Sequence, residues 1–139
     1  MDRVIKFRGK SIETGKWVYG DLIHMYLQNP TIQEIKPARG GVATYITWKV
    51  DPETVGQFTG AFDCDGKEIY EGDIVQQTNT KKLFIIKKST EKSAFVAEKL
   101  ENPFVLKNIT LTDDSKRQMR KVIGNIHDNP ELWGGGNDD

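Results

Sequence analysis

Apolar and polar residues alternate along much of this chain with the period of two that marks half-buried β-strands. Ile5 and Phe7 alternate with Lys6 and Arg8, Thr14-Gly15 supplies a turn, and residues 16–25 complete an opening hairpin. After the Asn29-Pro30 breaker, a short strand over residues 31–35 ends at Pro37, and Arg39-Gly40-Gly41 makes a flexible connection. The clearest strand follows. Val42, Thr44, Ile46, Trp48 and Val50 fall on one face, and Ala43, Tyr45, Thr47 and Lys49 on the other.

Asp51-Pro52-Glu53 ends that strand, and residues 55–60 read as a compact connection whose glycines allow close backbone approach. A sub-domain boundary is expected near residue 60. Asp65-Gly66 predicts a type I′ hairpin turn, in which both central residues take positive φ. Residues 67–77 then read as strand, bend at Gly72-Asp73, and strand, with Asn79 marking the next turn. Residues 83–86, 94–97 and 104–111 are short apolar strands between charged or proline-containing turns. Asp113 is placed to cap a brief helix through Met119, with Asp114 favourably near its N-terminus. Residues 122–127 resume as strand, and Asn129-Pro130-Glu131 reads as a cap, a first-turn proline and one helical turn. Residues 134–139 read as a disordered tail. The pattern predicts an all-β protein with one or two short helices: an N-terminal β hairpin or sheet region over residues 1–60, and closely spaced strands over 61–133 that suggest a small barrel or sandwich.

With 139 residues, the chain has room for one ordinary domain or two small sub-barrels. A composition of 37% hydrophobic and 29% charged residues is that of a water-soluble protein with a packed core. No apolar run approaches the roughly 18 to 20 residues that span a bilayer, and Met1-Asp2-Arg3 leads straight into an alternating segment rather than an apolar signal region. A cytoplasmic protein without a membrane partner is expected. The single cysteine, Cys64, excludes an intrachain disulfide and a multi-cysteine zinc site, and its neighbours Asp63 and Asp65 disfavour the thiolate.

The net charge of zero conceals a segregation: residues 81–121 hold eleven basic and five acidic groups. Lysines on strand faces and edges commonly blunt edge-to-edge pairing. The same stretch offers a candidate phosphate-contacting set, Lys81, Lys82, Lys87, Lys88, Arg117, Arg120 and Lys121. Trp17, Tyr19, Tyr45, Trp48 and Tyr70 could stack on bases, although such residues more often fill the core of a small β-sandwich.

The spacing of the remaining chemistry-bearing residues matches no familiar site. Asp63-Cys64-Asp65-Gly66 resembles part of a calcium loop, but with Gly66 at loop position 6, Ala61 falls at position 1 and Gly72 at position 12, so both essential carboxylates are missing. An exposed Asp-Gly hairpin with solvated acids, Glu68, Glu71 and Asp73 among them, is the simpler reading. His24 and His127 belong to no paired metal-ligand pattern and read as partly buried strand residues. Walker, GxGxxG and GxSxG motifs are absent from the sequence. No catalytic residue, cofactor or metal site is assigned, and the expectation is a protein that is not an enzyme.

Five blocks in chain order carry a family resemblance. They are Lys6-Phe7-Arg8-Gly9-Lys10; Gly15-Lys16-Trp17-Val18-Tyr19-Gly20-Asp21-Leu22; Val50-Asp51-Pro52-Glu53-Thr54-Val55-Gly56-Gln57-Phe58-Thr59-Gly60; Gly66-Lys67-Glu68-Ile69-Tyr70-Glu71-Gly72-Asp73-Ile74-Val75; and Val122-Ile123-Gly124-Asn125-Ile126-His127-Asp128-Asn129-Pro130-Glu131-Leu132. In these the chain resembles the YopX family, small proteins found largely in bacteriophages and prophages. The resemblance implies an all-β architecture whose C-terminal part is an SH3-like small barrel, or one compact YopX-type domain over residues 1–133. It imports no catalytic or ligand-binding residue. The expectation is a non-enzymatic phage- or prophage-derived binding module that contacts a host or phage protein, a small ligand or itself as a homo-oligomer. The alternative is a nucleic-acid-binding protein using the basic 81–121 segment.

Overall fold

The alternating segments form two antiparallel sheets. The computed structural model describes residues 4–37, 40–89, 94–99, 109–110 and 118–133. The chain divides into two compact units, Met1–Phe58 and Thr59–Asp139. The expected helix from Asp113 and the tail at 134–139 lie outside the described residues, apart from Gln118 and Met119, which form a short 3-10 turn.

In the first unit, β1 (Phe7–Lys10), β2 (Trp17–Ile23), β3 (Thr31–Pro37) and β4 (Ala43–Lys49) run as an antiparallel meander, and β5 (Gly56–Phe62) returns beside β1. Val18, Ile32 and Val50 are buried together, with Phe7, Leu22, Trp48 and Val55 packed against them. These side chains come from one face of each strand, as the alternation requires. Where β2 meets β3 the backbones are so close that a Cβ at Gly20 would collide with the carbonyl oxygen of Gln33. After Val50, Asp51 caps a 3-10 turn (Pro52–Thr54) by accepting from the Glu53 amide at 3.0 Å. Thr54 Oγ1 accepts from the Lys10 amide at 2.8 Å and donates to the Asp51 carbonyl at 2.7 Å, which ties this turn to β1.

Residues 55–60, expected as a connection, instead begin β5, because Gln57 and Gly56 pair with Phe7 and Arg8. Glycines at 56 and 60 suggested a loop by composition, but tertiary pairing overrode that local preference. Strand β5 passes from the first unit into the second.

In the second unit, β6 (Glu68–Tyr70) lies beside the distal part of β5. A five-stranded sheet follows in the order β10-β9-β8-β7-β11, from β7 (Asp73–Gln77), β8 (Leu83–Ser89), β9 (Ala94–Lys99), β10 (Ile109–Thr110) and β11 (Arg120–Asn125). It is a four-stranded meander with its last strand returning beside its first, and the described strands do not close into a barrel. Its core joins Ala61, Ile69, Val75, Phe84, Ile86, Ala97 and Val122. Phe84, Ile85 and Ile86 are all buried, so β8 is covered on both faces there. The final 3-10 turn, Pro130–Leu132, has no side-chain cap from Asn129, whose Oδ1 instead accepts from the Asn125 amide at 3.1 Å.

The close approach at Gly20 yields a prediction. Gly20→Ala must push β2 away from β3 and is expected to cost about 2 kcal/mol, whereas the exposed control Glu13→Ala should stay within about 0.5 kcal/mol in urea unfolding.

Candidate functional site

The segment from Asp63 to Asp73 shows what its acids do. Asp63, only 1% exposed, accepts at Oδ1 from the amides of Asp65 and Lys67, both at 2.9 Å, and at Oδ2 from the Val122 amide at 3.0 Å. Gly66 N donates to the Asp63 carbonyl at 3.0 Å, and within the turn Gly66 alone has positive φ, at 81°. The turn is therefore not the type I′ form expected. Asp63 sets an Asx-type turn, and Gly66 supplies the left-handed residue that follows it. Asp73 is likewise buried and accepts from the Tyr70 amide at 2.7 Å. The expectation of solvated hairpin acids is overturned for these two. Each carboxylate replaces water with backbone amides, a use of Asp that sequence alone does not separate from a surface turn.

Among the described residues, no group of three or more His, Cys, Asp or Glu side chains is placed to hold a metal ion. His24 is exposed and follows β2, and His127 is half-buried in the turn after β11, so neither is the strand residue expected. Cys64 is a half-buried free thiol whose backbone amide donates to the Arg120 carbonyl. Among the described residues, no helix is long and apolar enough to cross a membrane.

The candidate phosphate contacts are scattered. Lys81 and Lys82 lie in and beside the turn between β7 and β8, while Lys87 and Lys88 are successive on β8 and so point to opposite faces. Lys88 sits over the Phe95 ring at 5.9 Å. Arg120 is buried, with Nε donating to the Phe62 carbonyl at 3.0 Å, and exposed Lys121 lies 3.8 Å from Asp65. Arg117 lies outside the described residues.

The aromatic residues divide differently. Tyr70 is buried, and Trp48, on the core side of β4, donates from Nε1 to Glu34 at 2.8 Å. Trp17, Tyr19 and Tyr45 share the opposite face of the first sheet. The registers Arg8↔Tyr19, Lys10↔Trp17, Asp21↔Gln33 and Ile35↔Tyr45 place those partners together on it. Arg8 and Lys10 lie over the Trp17 ring, 4.5 and 5.5 Å from its centroid. Farther along, Tyr19, Ile35 and Tyr45 are 41%, 54% and 62% exposed. An open depression of about 690 Å³ lined by Leu27, Gln28, Asn29 and Lys49 also belongs to this unit.

This face ends at the margin of its sheet, strand β4, which pairs only with β3 among the described strands. The Val50 amide donates to the Pro30 carbonyl, so alternation directs the backbone groups of residues 44, 46 and 48 toward β3 and those of 43, 45, 47 and 49 outward. Two outward bonds confirm that parity. Ile12 N donates to Lys49 O and Asp51 N donates to Lys10 O, both at 2.9 Å. The segment 10–12 thus covers the end of the edge and, among the described residues, leaves Ala43, Tyr45 and Thr47 bare. The signal in the sequence was the run from Val42 to Trp48, which has no lysine, proline or glycine to protect an edge.

The backbone role of Asp63 can be measured. Asp63→Ala leaves the Lys67 and Val122 amides without their carboxylate and is expected to cost about 3 kcal/mol. Asp65→Ala, which removes only an exposed ion pair, should cost less than about 1 kcal/mol by urea unfolding.

A family model described as YopX protein matches residues 6–133. No curated protein matches the chain. Among solved structures, the crystal structure of protein EF1440 from Enterococcus faecalis is similar, with 25% sequence identity and a TM-score of 0.58, over 95% of this chain and 99% of that one. With the family model matching residues 6–133, nearly the whole chain, the chain belongs to the YopX family.

Proposed function

We propose that the protein is a non-enzymatic binding module that engages another protein by β-strand addition, in keeping with a phage- or prophage-derived protein working in the cytoplasm. The observation that carries this reading is the bare edge of β4. Ala43, Tyr45 and Thr47 present outward N–H and C=O groups that neither β3 nor the segment 10–12 uses. An added strand gains backbone hydrogen bonds along such an edge, while side-chain contacts on alternate positions set its specificity. Tyr45 and Ile35 stand ready for that second role, exposed and directly opposite one another.

The alternative reading, phosphate contact by the basic 81–121 segment, draws less support, because Arg120 is buried against Phe62 and the described lysines lie on different faces and turns. The two readings separate by salt. Strand addition should survive an increase in ionic strength that strips a protein from nucleic acid.

Thr47→Pro tests the edge. It removes an outward N–H while leaving the β3–β4 ladder intact, since proline is tolerated where the N–H faces away from the sheet. In a pull-down from host lysate supplemented with untagged copies of the chain, the native bait should retain a partner, either a lysate protein or a second copy, through a high-salt wash and Thr47→Pro should not. Equal recovery by the two baits would overturn the reading.

A further inference from the structure

We infer that the strand added to β4 is β4 of a second copy, paired antiparallel about a two-fold axis at Tyr45. This rests on the strand-addition reading above and names its partner. The usable edge is short and bounded. The segment 10–12 occupies the outer side of Lys49 and Asp51, and Gly41 lies in the turn on the other side of the strand, so the bare outward positions are 43, 45 and 47. An antiparallel partner centred on Tyr45 uses all three, matching Ala43 with the partner's Thr47, Tyr45 with the partner's Tyr45, and Thr47 with the partner's Ala43. Each match is a hydrogen-bonded pair that exchanges two bonds, about six in all. A register centred on Thr47 would bring the second strand onto the position held by Ile12, and one centred on Ala43 would run into the β3–β4 turn.

Side chains agree with that register. On the solvent face, tyrosine meets tyrosine at the axis, an aromatic cross-strand pair. On the other face, Thr44 meets the partner's Ile46, and Val42 falls opposite the partner's Trp48. Lys49, whose outer side Ile12 already takes, lies beyond the paired stretch, so no like charges are set against each other. The other described sheet margins lack this self-complementarity. Strand β10 has two residues and β6 has three, while β11 carries a bulge between Val122 and Gly124 and has its outer groups taken by Asp63 and Cys64. Because the interface uses the same edge on both copies, it closes as a dimer rather than growing into a fibre.

Light scattering with native protein should give twice the 15.8 kDa chain mass. Thr47→Pro should give the monomer mass, and so should Tyr45→Lys, which puts two like charges on the axis without touching the backbone. A cysteine reports the register. In a Cys64→Ser background, Tyr45→Cys places two thiols on residues whose Cα atoms lie about 5.5 Å apart in a hydrogen-bonded pair, within disulfide reach. Oxidation should therefore crosslink it to a covalent dimer. Thr44→Cys, which faces the partner's Ile46, should not crosslink. A native monomer, a dimer indifferent to both Thr47→Pro and Tyr45→Lys, or a Thr44→Cys crosslink without a Tyr45→Cys one would each overturn self-pairing. A native monomer that still captures a lysate protein in a Thr47-dependent manner refutes the second copy and leaves the binding-module reading standing. A monomer without such capture removes both.

Discussion

A β-sheet must give partners to the backbone groups along its margins, because an unpaired N–H or C=O away from water costs as much as a lost hydrogen bond. In the second unit that constraint converges on Asp63. One carboxylate oxygen holds the turn amides of Asp65 and Lys67, and the other takes the Val122 amide on the outer side of β11. Cys64 N adds a bond to the Arg120 carbonyl, and Arg120 Nε returns one to Phe62. A hairpin turn thereby does the work of a missing strand, and it holds Val122 over the same core as Ala61 and Ile69.

The first unit meets the constraint incompletely. Its segment 10–12 covers the outer side of the chain at Lys49 and Asp51, but among the described residues no strand or segment continues that cover along β4. The uncovered part is also the part with exposed Tyr45 opposite exposed Ile35. Apolar side chains and unspent backbone groups on one short strand are costly to leave in a monomer that gains nothing from them, since such an edge invites pairing with other chains. That combination, rather than any cluster of reactive side chains, gives the binding proposal its physical content.

Within the Asp63–Asp73 segment the two buried acids are committed to the backbone in the same way. Asp63 spends its oxygens on three backbone amides, and Asp73 takes the Tyr70 amide at the bend into β7. Carboxylates used in this way stabilise a turn geometry and contribute to the fold rather than to a reaction.

Period-two alternation was enough to read the opening strands and β4, and short runs bounded by turn residues marked β3, β7 and β8, so the all-β class was legible because side-chain direction and turn chemistry are local properties. Family membership was legible for a similar reason, in linear blocks such as residues 66–75 that the matched range includes. Local pattern did not reveal that Gly56 and Gln57 pair with β1, that Asp63 lies beneath β11, or that Arg120 is buried while Lys121 is not. Each of these depends on a partner far along the chain, 59 residues away for Asp63 and Val122. The β4 edge shows the division most clearly. The unprotected run from Val42 to Trp48 is written in the sequence, but its bare side is set by which neighbours arrive, β3 on one flank and residues 10–12 only at the end of the other, and that is decided by long-range pairing.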